Sequence, residues 1–344
     1  MAILSSVVNP VFDPRRRRGL AMLTALPLMA AGGARADNVT RVYGANPVVT
    51  WLLAVLYPER LIGWNFPPAA QAQGFIEPAA LELPVVGGFF GQGRMPNAES
   101  LLAQRPQLAV VSGATSVALK RSVEAMAVLN VPTLTLELER VDEYPAAIRQ
   151  LGERLGEAGR MQRAAQAAEH LLAIIRAFPD HGGPSVFYAE QHDGLATECR
   201  GSIHSEAIRL VNASNPHVCG EGEASQRFGM VRIDRETLLS YDPDWILTQS
   251  PAIYRGFFNQ PAFSMLSAVQ AGRVLLAPQA PFPWLDRPPS FMRLPGALWL
   301  FDRLHAGHGR FDLEAELQRF FGDFYGLRPT AAQMAAMLQP EERV

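Results

Sequence analysis

The sequence predicts an α/β protein of two lobes. Each lobe has a central, mostly parallel sheet flanked by helices, and one long rigid helix joins them. Three observations carry this expectation. Short apolar runs alternate with helical patterns before residue 142, a helical stretch without strand signals covers 142–178, and the alternation resumes after residue 179. Strand and helix in alternation imply βαβ units, whose strands pair in parallel.

In order, residues 39–43 read as a strand ending at Gly44, and 45–56 as an apolar helix. Runs 60–64 and 84–90 read as strands, 99–104 as a short helix, 108–111 as a strand, 116–129 as a helix and 132–136 as a strand. In the middle stretch, Ile148, Leu151, Leu155, Met161, Ala165, Ala168, Leu171, Leu172 and Ile175 recur every three or four positions. That spacing draws one apolar stripe along a helix. Gly152, Gly156 and Gly159 predict a break near 156–159, after which a continuous helix over 160–178 would run about 28 Å. Beyond it, 185–189, 245–248 and 273–277 read as strands, and 204–211, 236–240 and 261–266 as short helices. The tail from Pro295 reads as helical. The resulting domains are 37–141, the connecting helix 142–178, and 179–344 with its terminal helices.

One internal echo links the halves. Glu99, Leu101, Leu102 and Pro106 match Glu236, Leu238, Leu239 and Pro243 in register, and each set leads into an apolar strand. The match predicts that both lobes are built on one plan.

The first 36 residues read as a secretory signal. Arg15 to Arg18 precede an apolar run over 20–31, followed by Ala34-Arg35-Ala36. Basic, apolar, then small-x-small is the layout of a signal cut after Ala36. The run is too short to span a bilayer. The paired arginines also permit twin-arginine export. No cysteine follows the run, so no lipid anchor is expected. The reading is a periplasmic protein that is not membrane-embedded. Removing the signal leaves 26 basic against 32 acidic residues, a net charge of −6. A mildly acidic protein without a basic face argues against a nucleic-acid partner.

Cys199 and Cys219 can pair in an oxidising compartment. Their C-x4-H-x12-H-x-C spacing with His204 and His217 matches no standard zinc pattern. It favours a disulfide or free thiols over a metal site. No G-x-S-x-G elbow, P-loop or G-x-G-x-x-G is present, which weakens the competing class of an exported α/β enzyme.

Across nearly the whole mature chain, the sequence resembles the soluble substrate-binding proteins of ABC importers for iron–siderophore, haem and cobalamin-type metal chelates. The matching stretches are RVYGANPVVTWLLAVLYPERLIGWN, LPVVGGFFGQGRMPNAESLLAQRPQLAVVSG and VPTLTLELERVDEYPAAIRQLGERLGEAGR in the first half. In the second they are DGLATECRGSIHSEAIRLVNASNPHV, VRIDRETLLSYDPDWILT, AGRVLLAPQAPFPWLDRPPSFMRLPGALWL and FDLEAELQRFFGDFYGLRPTAAQM. The resemblance implies two lobes on a helical spine and limited closure. It implies a metal-chelate ligand, no intrinsic cofactor, a monomer, and ABC permease subunits as partners. It also implies that one acidic residue per lobe pairs with permease arginines; the echo assigns these to Glu99 and Glu236.

In open α/β sheets, ligands bind beyond the carboxyl ends of the strands. That rule selects Asn46, Trp64, Phe89, Phe90, Gln92 and Arg94 in the first lobe, and His192, Arg255, Trp284 and Arg287 in the second. Flat rings suit an aromatic-armed chelate, and arginine forks suit its carboxylates or catecholates. Metal ligation is open only to His192 or His204, and no set of histidines and carboxylates converges in the sequence itself.

Overall fold

Two separate parallel sheets organise the chain. The computed structural model describes residues 39–89, 95–113, 116–179, 182–220, 230–305 and 311–338. The first sheet has the order β1-β2-β3, from Val42–Gly44, Leu108–Val111 and Thr133–Thr135. The second has the order β4-β7-β8, from Val186–Ala189, Trp245–Thr248 and Val274–Leu276. Between β4 and β7 lies an antiparallel pair, β5 (Ala196–Glu198) with β6 (Met230–Arg232). The predicted strands over 60–64 and 84–90 reduce to isolated bridges, Val42 with Leu61 and Trp64 with Val85. The backbones approach closely there: a Cβ on Gly63 would lie 2.6 Å from the Pro84 carbonyl.

The helices follow from their caps. α1 (Pro47–Leu56) starts at Asn46, whose side chain accepts from the Val49 N–H, with Pro47 in the first turn. α2 is Pro78–Leu81, α3 is Ala98–Ala103 and α4 is Ser116–Val128. α5 (Tyr144–Leu155) and α6 (Ala158–Arg176) split at Gly156 and Glu157, with φ of 88° and 63°. The predicted break therefore falls where glycine tolerates the left-handed turn. α5 folds back along α6: Arg149 bonds Gln162 at 3.1 Å and Glu169 at 2.8 Å. Gly152 lets the two approach, since a Cβ there would meet Met161 Cβ at 2.8 Å. The 19 residues of α6 bury one stripe, Met161, Ala164, Ala165, Ala168, Leu171, Leu172 and Ile175. Then come α7 (Glu206–Leu210), α8 (Arg235–Tyr241), α9 (Pro251–Asn259), α10 (Ser267–Gln270), α11 (Arg293–Leu304), α12 (Leu313–Phe320) and α13 (Ala331–Leu338).

The echo is structural. α3 and α8 are capped by Asn97 and Asp234, and each leads to the central strand of its sheet, β2 or β7. Glu99 and Glu236 stand exposed in the first turn of α3 and α8.

The halves share more than a helix. One apolar core runs from α1 through α5 and α6 to α11 and the terminal helices. Within it, Trp51 stacks on Phe282 with centroids 4.1 Å apart. A buried ion pair within the second half, Arg293 with Glu206, bonds across the junction to the first. Arg293 Nη1 donates to the Glu139 carbonyl at 2.9 Å, and the Val141 N–H donates to Glu206 Oε1 at 3.4 Å. A continuous apolar junction resists hinge opening, because separating it would return that surface to water.

Candidate functional site

At the carboxyl edge of the first sheet the buried polar groups among the described residues are neutral and paired. Asn46 Nδ2 donates to the Ser112 carbonyl at 2.8 Å while Oδ1 caps α1. Thr50 Oγ1 donates to Asn65 Oδ1 at 2.7 Å, and Asn65 Nδ2 reaches the Gly44 and Gly87 carbonyls at 2.9 and 2.8 Å. All are buried. Asn46 thus spends its amide on the fold.

At the carboxyl edge of the second sheet the groups are charged. Glu190 follows β4 directly, Gln249 follows β7, and Asp286 and Arg287 lie in the loop after β8. Glu198 ends β5, and His204 sits in the turn before α7. Gln249 ties β7 to this loop: its Nε2 donates to Tyr188 Oη at 2.7 Å and to the Asp286 carbonyl at 3.1 Å. Arg287 Nε donates to Glu190 Oε1 at 2.6 Å, and its Nη2 donates to Glu198 Oε1. Ser202 Oγ donates to Glu198 Oε2 at 2.9 Å. His204 Nδ1 pairs with Asp286 Oδ1. Asp286 Oδ2 accepts no hydrogen bond, and Arg287 Nε stands 3.5 Å from it. Glu198 and Asp286 are wholly buried, while the Arg287 side chain is 33% exposed. Arg287 adopts φ 55°, a left-handed backbone unusual for a bulky residue. Cys199 and Cys219 form a disulfide that anchors the loop beside Glu198.

Crowded acids shift one another. Burial pushes Glu190 up to about 7 against the pull of Arg287. Burial also raises Glu198, opposed by His204 and Arg287. For His204 burial favours the neutral ring, but the hydrogen bond and charge of Asp286 more than offset it and hold its pKa above the usual value. Arg287 stays charged, because the pull of Glu190 and Asp286 exceeds the effect of burial. Each direction follows from whether the surroundings favour the ionised form.

The residues singled out from sequence divide clearly. Trp64 and Trp284 are core residues, buried with their indole N–H groups each 2.7 Å from a backbone carbonyl, of Ala80 and Ala280. Neither offers surface to a ligand. Phe89 is half-buried against the first-sheet core, its N–H donating to the Ala45 carbonyl at 2.8 Å. Phe90, Gln92 and Arg94 lie outside the described residues. His192 is exposed in the turn after Glu190. Arg255 is exposed on α9, a helix in a span where the sequence reading places no element; Ser250 caps it and Pro251 opens it. Arg287 is in the charged cluster.

Sequence reading missed the cluster as a unit. Glu198, His204 and Asp286 each offer a ligand atom, and these atoms lie within 4.8 Å of one another. The expectation that no histidine and carboxylates converge is therefore corrected. Glu190 was legible as the residue closing a strand; the meeting of His204 with Asp286, 82 positions away, was not.

The family profile of periplasmic binding proteins matches residues 84–281, more than half of the chain. Among solved structures, an ABC transporter solute binding protein from Sulfurospirillum deleyianum is 29% identical, with a TM-score of 0.80 over 87% of this chain and 94% of that one. The molybdate periplasmic binding protein of Haemophilus influenzae is 17% identical, with a TM-score of 0.67 over 86% and 95%. The periplasmic vitamin B12 binding protein of Vibrio cholerae is 20% identical, with a TM-score of 0.58 over 77% and 96%. The last two share the fold alone. No curated protein sequence matches the chain. Among the described residues no helix is long and apolar enough to cross a membrane.

Proposed function

Because the chain belongs to the periplasmic binding protein family, we propose that it is the exported solute-binding component of an ABC importer, carrying a metal chelate. An iron–siderophore complex is the first candidate; haem, cobalamin and a small nickel or iron complex complete the class. The observation behind this reading is the duplicated unit, a capped helix leading into the central strand of each parallel sheet. Sheets of this kind take ligands beyond their carboxyl edges. There the second sheet offers Arg287 and the exposed His192, which lies two residues after Glu190, the acid that Arg287 pairs. Phe89, Phe90, Gln92, Arg94 and Arg255 complete the proposed contacts, and the protein acts as a monomer. Its signal segment directs it to the periplasm, where it meets the permease.

Glu99 and Glu236 are the proposed docking pair, exposed at matching turns of α3 and α8. Reversing both charges sets like charges opposite permease arginines and should lower stimulated transport roughly tenfold or more. The affinity for the chelate should not change. Full transport in the Glu99→Lys/Glu236→Lys protein would discard the pairing. Cargo is tested by tryptophan fluorescence during titration with ferric siderophores, haem and cobalamin. Saturable quenching without turnover supports a carrier, and product formation would make the protein an enzyme.

A further inference from the structure

We infer that Glu198, His204 and Asp286 form a binding site for one divalent first-row transition cation, and that Arg287 is the internal cation it displaces. The donors come from three places in the fold: the end of β5, the turn before α7 and the loop after β8. Their ligand atoms lie within 4.8 Å of one another. A cation about 2.1 Å from each donor holds a tetrahedral pair about 3.4 Å apart and an opposed pair about 4.2 Å apart, so the widest separation the set allows closes by about 0.6 to 1.4 Å. One imidazole and two carboxylates suit manganese, iron, cobalt, nickel or zinc, and not a soft ion that wants thiolates.

Two observations separate this cluster from a settled ion-pair network. First, Asp286 is wholly buried, yet its Oδ2 accepts no hydrogen bond. A buried acceptor without a donor is costly, more so for a charged group, and a Lewis acid satisfies it. Second, the charges do not balance. Among the described residues, Glu190, Glu198 and Asp286 face Arg287, with His204 the other basic group paired into the cluster. Extra positive charge is what such a buried set lacks.

Arg287 supplies part of it and blocks the rest. Its Nη2 occupies Glu198 Oε1, and its Nε stands 3.5 Å from Asp286 Oδ2. With a third of its side chain in water it can swing outward, as a buried arginine could not. Ser202 keeps the other Glu198 oxygen in place, and the Cys199–Cys219 disulfide anchors the loop that carries both. A site held from several elements keeps its geometry when the plug leaves. The ion considered is the free cation, so this inference does not depend on chelate capture and survives its failure.

The test uses the purified exported protein, stripped with a chelator. Co2+ is followed by visible absorption and Zn2+ by calorimetry and thermal shift. One equivalent should bind saturably. His204→Gln and Asp286→Asn should each weaken it about tenfold or more, as loss of a ligand does. Arg287→Gln should do the opposite and tighten it several-fold, because the competing cation is gone. Absence of saturable uptake by the wild-type protein overturns the proposal. So does uptake that both His204→Gln and Asp286→Asn leave within twofold, or that Arg287→Gln weakens. Should Asp286→Asn not fold, His204→Gln and Arg287→Gln still decide through their opposite directions.

Discussion

At the edge of the first sheet, Asn46, Thr50, Asn65 and Ser112 hold one another and the backbone with neutral hydrogen bonds. At the edge of the second, Glu190, Glu198, Asp286, Arg287 and His204 press five titratable groups together. The two sheets share strand order, parallel pairing and an echoed helix–strand unit. What differs is how each ends. Amide and hydroxyl groups have no proton to gain or lose near neutrality, so these groups of the first edge keep their charge as pH changes. Crowded carboxylates respond to protons, so the second edge can change its charge with pH. Similar scaffolds thus end in two unlike sets of groups, neutral on one side and titratable on the other.

The comparison breaks most visibly at Arg287. Arg287→Ala leaves three carboxylates against one histidine. Removing one partner of a buried pair costs about 3–5 kcal/mol, and the third of this side chain in water puts the expected loss near the lower end. Protonation of the carboxylates relieves the repulsion, so the loss at pH 8 should shrink clearly at pH 5. Urea unfolding at the two values measures it. Equal losses at both would mean that charge does not govern the second edge.

Asn65→Ala is the matching change at the first edge. It removes the bonds to Thr50 Oγ1 and to the Gly44 and Gly87 carbonyls. Each carbonyl still has a donor in reach, the Thr50 hydroxyl freed from Asn65 for Gly44 and Tyr43 Oη for Gly87. The expected loss is therefore about 2 kcal/mol, within the range for incompletely orphaned buried groups. It should be the same at pH 5 and pH 8. A strong pH dependence here would erase the contrast between the edges.

Much of this contrast was hidden in the sequence, for physical reasons. Alternation exposed the strands of both sheets because a doubly buried strand is a short apolar run such as Leu108–Val111. The break at Gly156 was legible because few other residues accept its backbone. α9 falls between the predicted elements 245–248 and 261–266, although Ser250 and Pro251 announce a helix start there. The short β5–β6 pair has no signal of its own, since 31 residues separate its strands. Trp64 and Trp284 misled because an aromatic beside a strand end looks like ligand surface. Only the structure reveals that each indole N–H is satisfied by a carbonyl inside the core. Arg287 was found from sequence, with Asp286 as its neighbour. The other acids facing it came from β4 and β5, and only folding could set them there.

Glu190 sharpens the comparison with the smallest effect. Its folded pKa is about 7, above the ordinary 4.5, because burial disfavours the charge. Between those values the folded state holds a proton that the unfolded chain has lost. The contribution to stability is therefore full below about pH 4.5 and disappears as pH rises through about 7. His204 and Glu198 are raised as well, so their contributions fall in the same direction. Glu190→Gln removes only the Glu190 share and keeps an acceptor for Arg287. Stability should then drop less between pH 5 and pH 8 than in the wild type, by on the order of 1 kcal/mol or more. Unfolding curves across this range measure the difference. A slope unchanged from wild type would mean that Glu190 titrates as an ordinary carboxylate, and the second edge would lose one of the groups that make its charge adjustable.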